Sequence, residues 1–323
     1  MAAASGRSIR LAVVGASGTV GSQIAELIGA RDFSYAEVKL FGAEAGTSTT
    51  VESGGRTLTV APLESPADLA GFDLVLLAVP ETVAAEITVA RPGPLLVDLS
   101  AATRPPSDAA PVVAPGLTPR ERLLDLRRLN LLAVPHPAAQ VIATVLSAIG
   151  VHAGFAGANV MLGASAGGRE AVSELFNQSA DLLNARLTLE EDKTQIAFNV
   201  FLPARGRELA GAIAAQAAAL MGTAPQLAVQ VVQVPAFHGS AVALFVPTAD
   251  MREWPLRLRA APGVILVESD EASGFVDAIG QEAVLVRMGV PVAGGTALWC
   301  TFDSARIAAL SALWIAETLA FAA

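Results

Sequence analysis

The sequence predicts an α/β protein with a doubly wound parallel sheet and a second, α+β domain. Three observations predict it. An apolar, β-branched run, Ile9–Gly15, ends in a glycine loop and passes into a helical pattern. Strand and helix patterns then alternate as far as Leu131–Val134, as a parallel sheet requires. Beyond Pro135 and Pro137 the pattern changes to short strands, several of them alternating.

Element by element, Ile9–Gly15 reads as a buried strand and Gly21–Ala30 as the helix after it, with Ile24, Leu27 and Ile28 on one face. Val38–Phe41 is a short second strand. Asp73–Val79 and Leu95–Asp98 are buried strands separated by the helical pattern of Glu81–Ala90. Pro105–Pro119 reads as a surface loop around a short strand, Val112–Ala114, and Leu131–Val134 closes the sheet. Ala139–Ile149 begins a long apolar helix. In the second half Ala158–Leu162 is a strand, and Arg169–Leu183 an amphipathic helix that should turn Ala171, Leu175, Phe176 and Leu183 inward. An Ala-rich helix, Glu208–Leu220, precedes strands at Gln226–Pro235, Ala241–Val246, Val264–Val267, Val284–Met288 and Ala297–Thr301. Ala305–Leu319 is a closing helix. Residues 1–134, with the closing helix in 303–323, thus form the expected first domain, and residues 135–302 the second.

Composition narrows the function classes. A chain of 323 residues exceeds the size at which one core stops growing. With 53% hydrophobic and 16% charged residues it should fold rather than stay disordered. No stretch reaches the roughly 20 apolar residues of a membrane span. Met1–Arg10 lacks the apolar core of a secretory signal, and one cysteine, Cys300, allows no internal disulfide, so a cytoplasmic location is expected. A net charge of −9 without a basic face argues against a nucleic-acid partner. No Cys, His and carboxylate cluster has the spacing of metal ligands, so no metal site is expected.

The loop Gly15-Ala16-Ser17-Gly18-Thr19-Val20-Gly21 lies between the first strand and the first helix. Glycines there let backbone approach a pyrophosphate, and the helix start offers free N–H groups and a positive dipole end. The spacing G-x-x-G-x-x-G is a variant of the better-known dinucleotide fingerprint, and the alternative reading is a tight strand–helix turn that binds nothing. Glu44 stands near the place of the acidic residue that holds ribose hydroxyls, and no Lys or Arg stands by to take a 2′-phosphate, Lys39 lying inside the strand. NAD is therefore favoured over NADP if either binds; the alternative for Glu44 is a solvated loop charge.

Several segments resemble the aspartate-β-semialdehyde dehydrogenase family, and within it the Usg-like branch. They are the glycine loop, Val97-Asp98-Leu99-Ser100-Ala101, Ile196-Ala197-Phe198-Asn199-Val200, Val234-Pro235-Ala236-Phe237, and Leu298-Trp299 before the last helix. The resemblance spans nearly the whole chain. It implies a Rossmann-type first domain, a dimerisation surface on the second, a homodimer, and cofactor contacts from Gly15, Ser17, Gly18, Thr19, Val20, Gly21, Ser100, Ser165 and Gly168. It also implies reductive dephosphorylation of an acyl phosphate through a cysteine thioester, a proton-moving histidine and an anion clamp.

At the family's catalytic positions this chain departs from the pattern. Pro137, in Val134-Pro135-His136-Pro137, takes the place of the cysteine. Leu162 stands for a glutamine, Gln233 for the substrate arginine and Ser240 for the histidine, and Ala210–Ala219 has alanine where a Glu and a Lys would reach the substrate. Arg104 alone matches a phosphate-contacting group. Cys300, on a strand after Trp299, cannot stand in.

Of the three histidines, His152 has no evident partner, while His136 and His238 fall on loops that the resemblance sets beside the altered site. They could serve as an acid–base pair, or be inherited loop residues. Three readings stay open: a cofactor-binding or sensing protein without dehydrogenase activity, an oxidoreductase with altered chemistry and a small-molecule substrate, and a structural dimer partner.

Overall fold

The computed structural model describes residues 9–31, 35–42, 49–53, 56–186, 193–247, 251–268, 273–292 and 294–320. The chain divides into two compact units, Met1–Pro137 with Ala308–Ala323, and Ala138–Ile307.

The first unit holds β1 (Arg10–Val14), α1 (Thr19–Ala30), β2 (Glu37–Gly42), β3 (Thr49–Ser53), β4 (Arg56–Pro62), β5 (Leu74–Leu77), α2 (Glu81–Ala90), β6 (Leu95–Asp98), α3 (Arg120–Leu126) and β7 (Leu131–Ala133). Its seven strands run in the order β3-β4-β2-β1-β5-β6-β7. All neighbours are parallel except the β3–β4 pair. The order reverses direction about β1 and β5, the switch point at which open α/β sheets take their ligands. One face packs Leu11, Val13 and Leu76 against Ile24 and Leu27 of α1, Leu123 of α3 and the closing helix; the other packs Val14, Val75 and Leu77 against Ala84 and Ile87 of α2. Strands buried on both faces explain the continuous apolar runs of the sequence, each such side chain contributing about 1.5–3 kcal/mol. Val112 forms only an isolated bridge to Ala133, not the short strand expected at Val112–Ala114.

The second unit follows with α4 (Pro137–Ile149), β8 (Phe155–Leu162), α5 (Gly168–Leu183), α6 (Gly206–Met221), β9 (Gln226–Gln233), β10 (Ser240–Val246), α7 (Trp254–Ala260), β11 (Val264–Leu266), α8 (Phe275–Ala278), β12 (Val284–Met288), β13 (Thr296–Phe302) and α9 (Ser304–Ala320), whose residues from Ala308 onward belong to the first unit. Its six strands run β11-β12-β13-β10-β8-β9. The sheet is mixed: β8–β9 and β11–β12 are parallel, and the remaining pairs antiparallel. Alternation along β8 buries Ala156, Ala158, Val160 and Leu162 on one face. The opposite face carries Phe155 and Phe245, both about half exposed.

One expectation fails in α5. Leu175 is buried and Ala171 partly so, but Phe176 is 64% and Leu183 78% exposed. The inward group is instead Gln178, whose Oε1 accepts from the N–H of Ile196 and of Ala197. A helix turn that must satisfy backbone donors of a neighbouring segment spends its inner face on an amide, and the phenyl ring is displaced outward.

Among the described residues no helix is long and apolar enough to cross a membrane, and no group of three or more His, Cys, Asp or Glu is placed to hold a metal ion.

Candidate dinucleotide site and its surroundings

Gly15 ends β1 in the left-handed region, at φ +85°, and its N–H donates to Phe41 O. A Cβ there would lie 2.2 Å from Ala78 O. Only glycine therefore fits where β1 passes the end of β5. Gly21 is equally constrained, since a Cβ would lie 2.1 Å from Gly15 O. Gly18 differs: it is the N-cap of α1 with extended backbone, φ −73°. The first helical bond is Ser22 N to Gly18 O, so the N–H groups of Thr19, Val20 and Gly21 find no acceptor among the described residues. A loop that excludes side chains beside a start of helix with free donors fits a dinucleotide pyrophosphate. Ser17, Thr19 and Val20 are all partly exposed. Glu44 lies outside the described residues. Lys39 sets its ammonium over the Phe41 ring, 4.9 Å from the centroid.

The end of β6 carries the second group in this unit. Asp98 is buried, at 3% exposure. Its Oδ1 accepts from the backbone N–H of Ser100 at 2.8 Å and from Ser100 Oγ at 2.6 Å. Its Oδ2 accepts from Arg104 Nη2 at 2.6 Å, and Arg104 Nε lies 3.3 Å from Glu81 Oε1 at the start of α2. Arg104 thus faces two carboxylates, and the trio carries a net charge of −1. Sequence reasoning singled out Ser100 and Arg104 but missed Asp98 and Glu81, which decide what Arg104 is available to do. The available signal was an acidic residue closing a buried strand six positions before an arginine.

His136 and Pro137 stand where β7 leads into α4. Pro137 is the first residue of that helix, a position suited to proline because its missing N–H would be unbonded there anyway. His136 is buried, and burial lowers its pKa from 6.5 to about 4, so it is neutral at pH 7.

In the second unit, register brings three of the altered positions onto one line. Gln233 of β9 pairs with Leu162 of β8, and Leu162 pairs with Ser240 of β10. Each is satisfied locally. Gln233 Nε2 donates to Leu162 O at 2.9 Å, and Ser304 Oγ donates to Ser240 Oγ at 2.7 Å, with Ser240 only 1% exposed. None of the three offers a charge. His238 is exposed on the loop between β9 and β10. That loop is tied to the end of β8: Gly163, Ala164 and Ser165 donate backbone N–H bonds to Gly239, Ala236 and Phe237. Gly168, at φ +85°, starts α5. His136 belongs to the first unit and His238 to the second. His152 is exposed in the loop before β8. Cys300 is fully buried on β13, and burial raises its thiol to about 12, so it stays protonated and inert.

A doubly wound sheet with a glycine cradle at its switch point defines an α/β protein of the dinucleotide-binding class. Comparison with known proteins makes this specific. Residues 10–123 match the semialdehyde dehydrogenase NAD binding domain. A USG-1 protein homolog of Azotobacter vinelandii is 32% identical, covering 97% of this chain and 98% of that protein. An aspartate-semialdehyde dehydrogenase of Synechocystis sp. is 29% identical, covering 96% and 97%. The structure of a probable aspartate-semialdehyde dehydrogenase from Pseudomonas aeruginosa matches with a TM-score of 0.84 at 30% identity, covering 97% of this chain and 98% of that one. The chain belongs to the semialdehyde dehydrogenase family.

Proposed function

We propose that this protein binds a dinucleotide at Gly15–Gly21, NAD in preference to NADP, and carries out no thioester-forming dehydrogenase step. The observation that carries the second half is Pro137 at the head of α4, the place the family resemblance gives to the nucleophile. A thiolate there would gain from the helix dipole; a pyrrolidine ring supplies neither nucleophile nor proton. The other positions that the resemblance assigns to the substrate agree, each within its own unit: Arg104 faces Asp98 and Glu81, and Gln233 and Ser240 carry no charge for an acyl phosphate. NAD is favoured because residues 42–55 contain no Lys or Arg to meet a 2′-phosphate. The role that fits is cofactor sensing or regulation in the cytoplasm.

Altered redox chemistry through His136 and His238 is the second reading. His136, neutral above about pH 4, could accept a proton but could not donate one at neutral pH. A homodimer through the second unit is part of the proposal. The open face of its sheet exposes Phe155 and Phe245, apolar surface that a second copy would cover.

The test is the thermal midpoint with millimolar NAD and, separately, NADP, followed by a 340 nm assay with aspartate semialdehyde, phosphate and each cofactor. Saturation at about 100 times the dissociation constant adds roughly 2.7 kcal/mol, or a few degrees. A shift with NAD and no turnover supports the proposal; turnover dependent on phosphate would overturn it.

A further inference from the structure

The second unit ends its sheet on β9, whose outer edge is open along Leu227 and Val229, Val231 being buried at 2% exposure. The direction of its backbone groups follows from four bonds. Gln226 N–H donates inward to Gly154 O and Val234 N–H inward to Leu162 O, whereas Gln233 exchanges both its bonds outward with Phe201. Backbone groups alternate along a strand, so Leu227, Val229 and Val231 also turn their N–H and C=O outward. None of these has a backbone partner on that side among the described residues. The Phe201 bridge begins an antiparallel ladder that Pro203 cuts off, since the chain turns there into α6. Natural edges of this kind are blunted by lysine, proline or a bulge; β9, with the sequence QLAVQVVQ, has no lysine or proline.

Beside this edge lies a cavity of about 550 Å³. Its helix wall is Gly206, Ala210, Gly211 and Ala214 of α6, small residues that leave room for side chains of an added strand, and Leu202, 62% exposed, also lines it. A Cβ on Gly206 would lie 3.8 Å from Val231 O, so α6 starts at the Val231 end of the edge. The exposed Arg207 marks that end with a positive charge, and no ion pair of Arg207 occurs among the described residues.

We propose that β9 and α6 form a docking groove for an extended peptide strand from another protein, running antiparallel to β9, apolar on the side facing α6 and acidic at its N-terminal end beside Arg207. Main-chain bonds to Leu227 and Val229, the part-exposed residues of the edge, supply the affinity, and the acidic residue sets register. The proposal is independent of dinucleotide binding and of the open sheet face.

The probe is the acetylated hexapeptide Asp-Thr-Val-Thr-Val-Thr with a C-terminal fluorescein, titrated with the full chain by anisotropy. Two variants test the groove. Gly211→Trp fills it from the helix side, where a Cβ meets nothing within 4 Å, and tryptophan suits a helix better than glycine. Arg207→Glu reverses the charge. The expected result is saturable binding, abolished by Gly211→Trp, weakened at least about tenfold by Arg207→Glu, and recovered in that variant by the peptide that begins with Lys. No saturable binding at millimolar protein, or binding indifferent to Gly211→Trp, would overturn it. So would self-association that Gly211→Trp abolishes, because β9 would then pair between copies of this chain.

Discussion

Arg104 Nη2 sits 2.6 Å from Asp98 Oδ2, binding the end of β6 to the chain that follows it. The pair fixes more than itself, because the other oxygen of Asp98 holds the Ser100 turn at the ligand edge of the sheet. We propose that Arg104, held by Asp98, positions this turn. Arg104→Gln should leave a buried carboxylate short of a charged partner. The cost should be about 1–2 kcal/mol in urea unfolding, below the full cost of breaking a buried pair because the Arg104 side chain is 42% exposed. Dinucleotide affinity should fall with it, about tenfold. Unchanged stability and affinity together would contradict the positioning role.

His136 gives a pH signature. Its folded-state pKa is about 4, below the 6.5 of the free side chain, so the unfolded chain binds the proton first as pH falls. The stability this neutral histidine preserves is complete above pH 6.5 and declines as pH falls toward 4, by roughly 3 kcal/mol at most. In His136→Gln the fall in thermal midpoint across that window should be shallower than in the parent protein. Parallel curves for the two would mean that burial of His136 does not govern the window.

Pro137→Cys should not create dehydrogenase turnover. By the family resemblance the base and the substrate arginine would stand at Ser240 and Gln233, and neither a serine bonded to Ser304 nor an uncharged amide bonded to Leu162 O replaces them. Phosphate-dependent reduction of NAD by this variant with aspartate semialdehyde would show that other residues supply both.

The open face of the second sheet should be a homodimer surface. Phe245→Asp places a charge among apolar residues on that face and should give a monomer by sedimentation at micromolar concentration, the parent protein sedimenting as a dimer. A parent protein that is monomeric there would contradict the assignment.

Much of the architecture was legible in the sequence. The Gly15–Gly21 loop announces itself because only glycine survives the contact with Ala78 O, and strand runs such as Leu74–Leu77 are apolar throughout because both faces are covered. Less visible were elements whose pattern is short or polar. The β3–β4 hairpin lies in Thr-rich sequence, and α3 is a seven-residue helix whose single fully buried residue is Leu123. The inward face of α5 was misread because apolar letters were favoured, while the fold needed the amide of Gln178 to satisfy a distant loop. The alignment of Leu162, Gln233 and Ser240 depends on pairing between strands far apart in the chain, which no local pattern encodes.

The most direct measurement is calorimetric titration of NAD into the parent protein and into Gly18→Asp. Gly18 caps α1 at φ −73°, a conformation open to aspartate, and aspartate is a favoured N-cap, which offsets the 3.2 Å approach of its Cβ to Gly15 O, so the variant should fold. Its carboxylate would lie where the pyrophosphate must approach. The account predicts binding to the parent protein and a loss of at least about a hundredfold in the variant. Equal affinity in the two proteins would contradict it, because the dinucleotide would then bind somewhere other than the glycine loop.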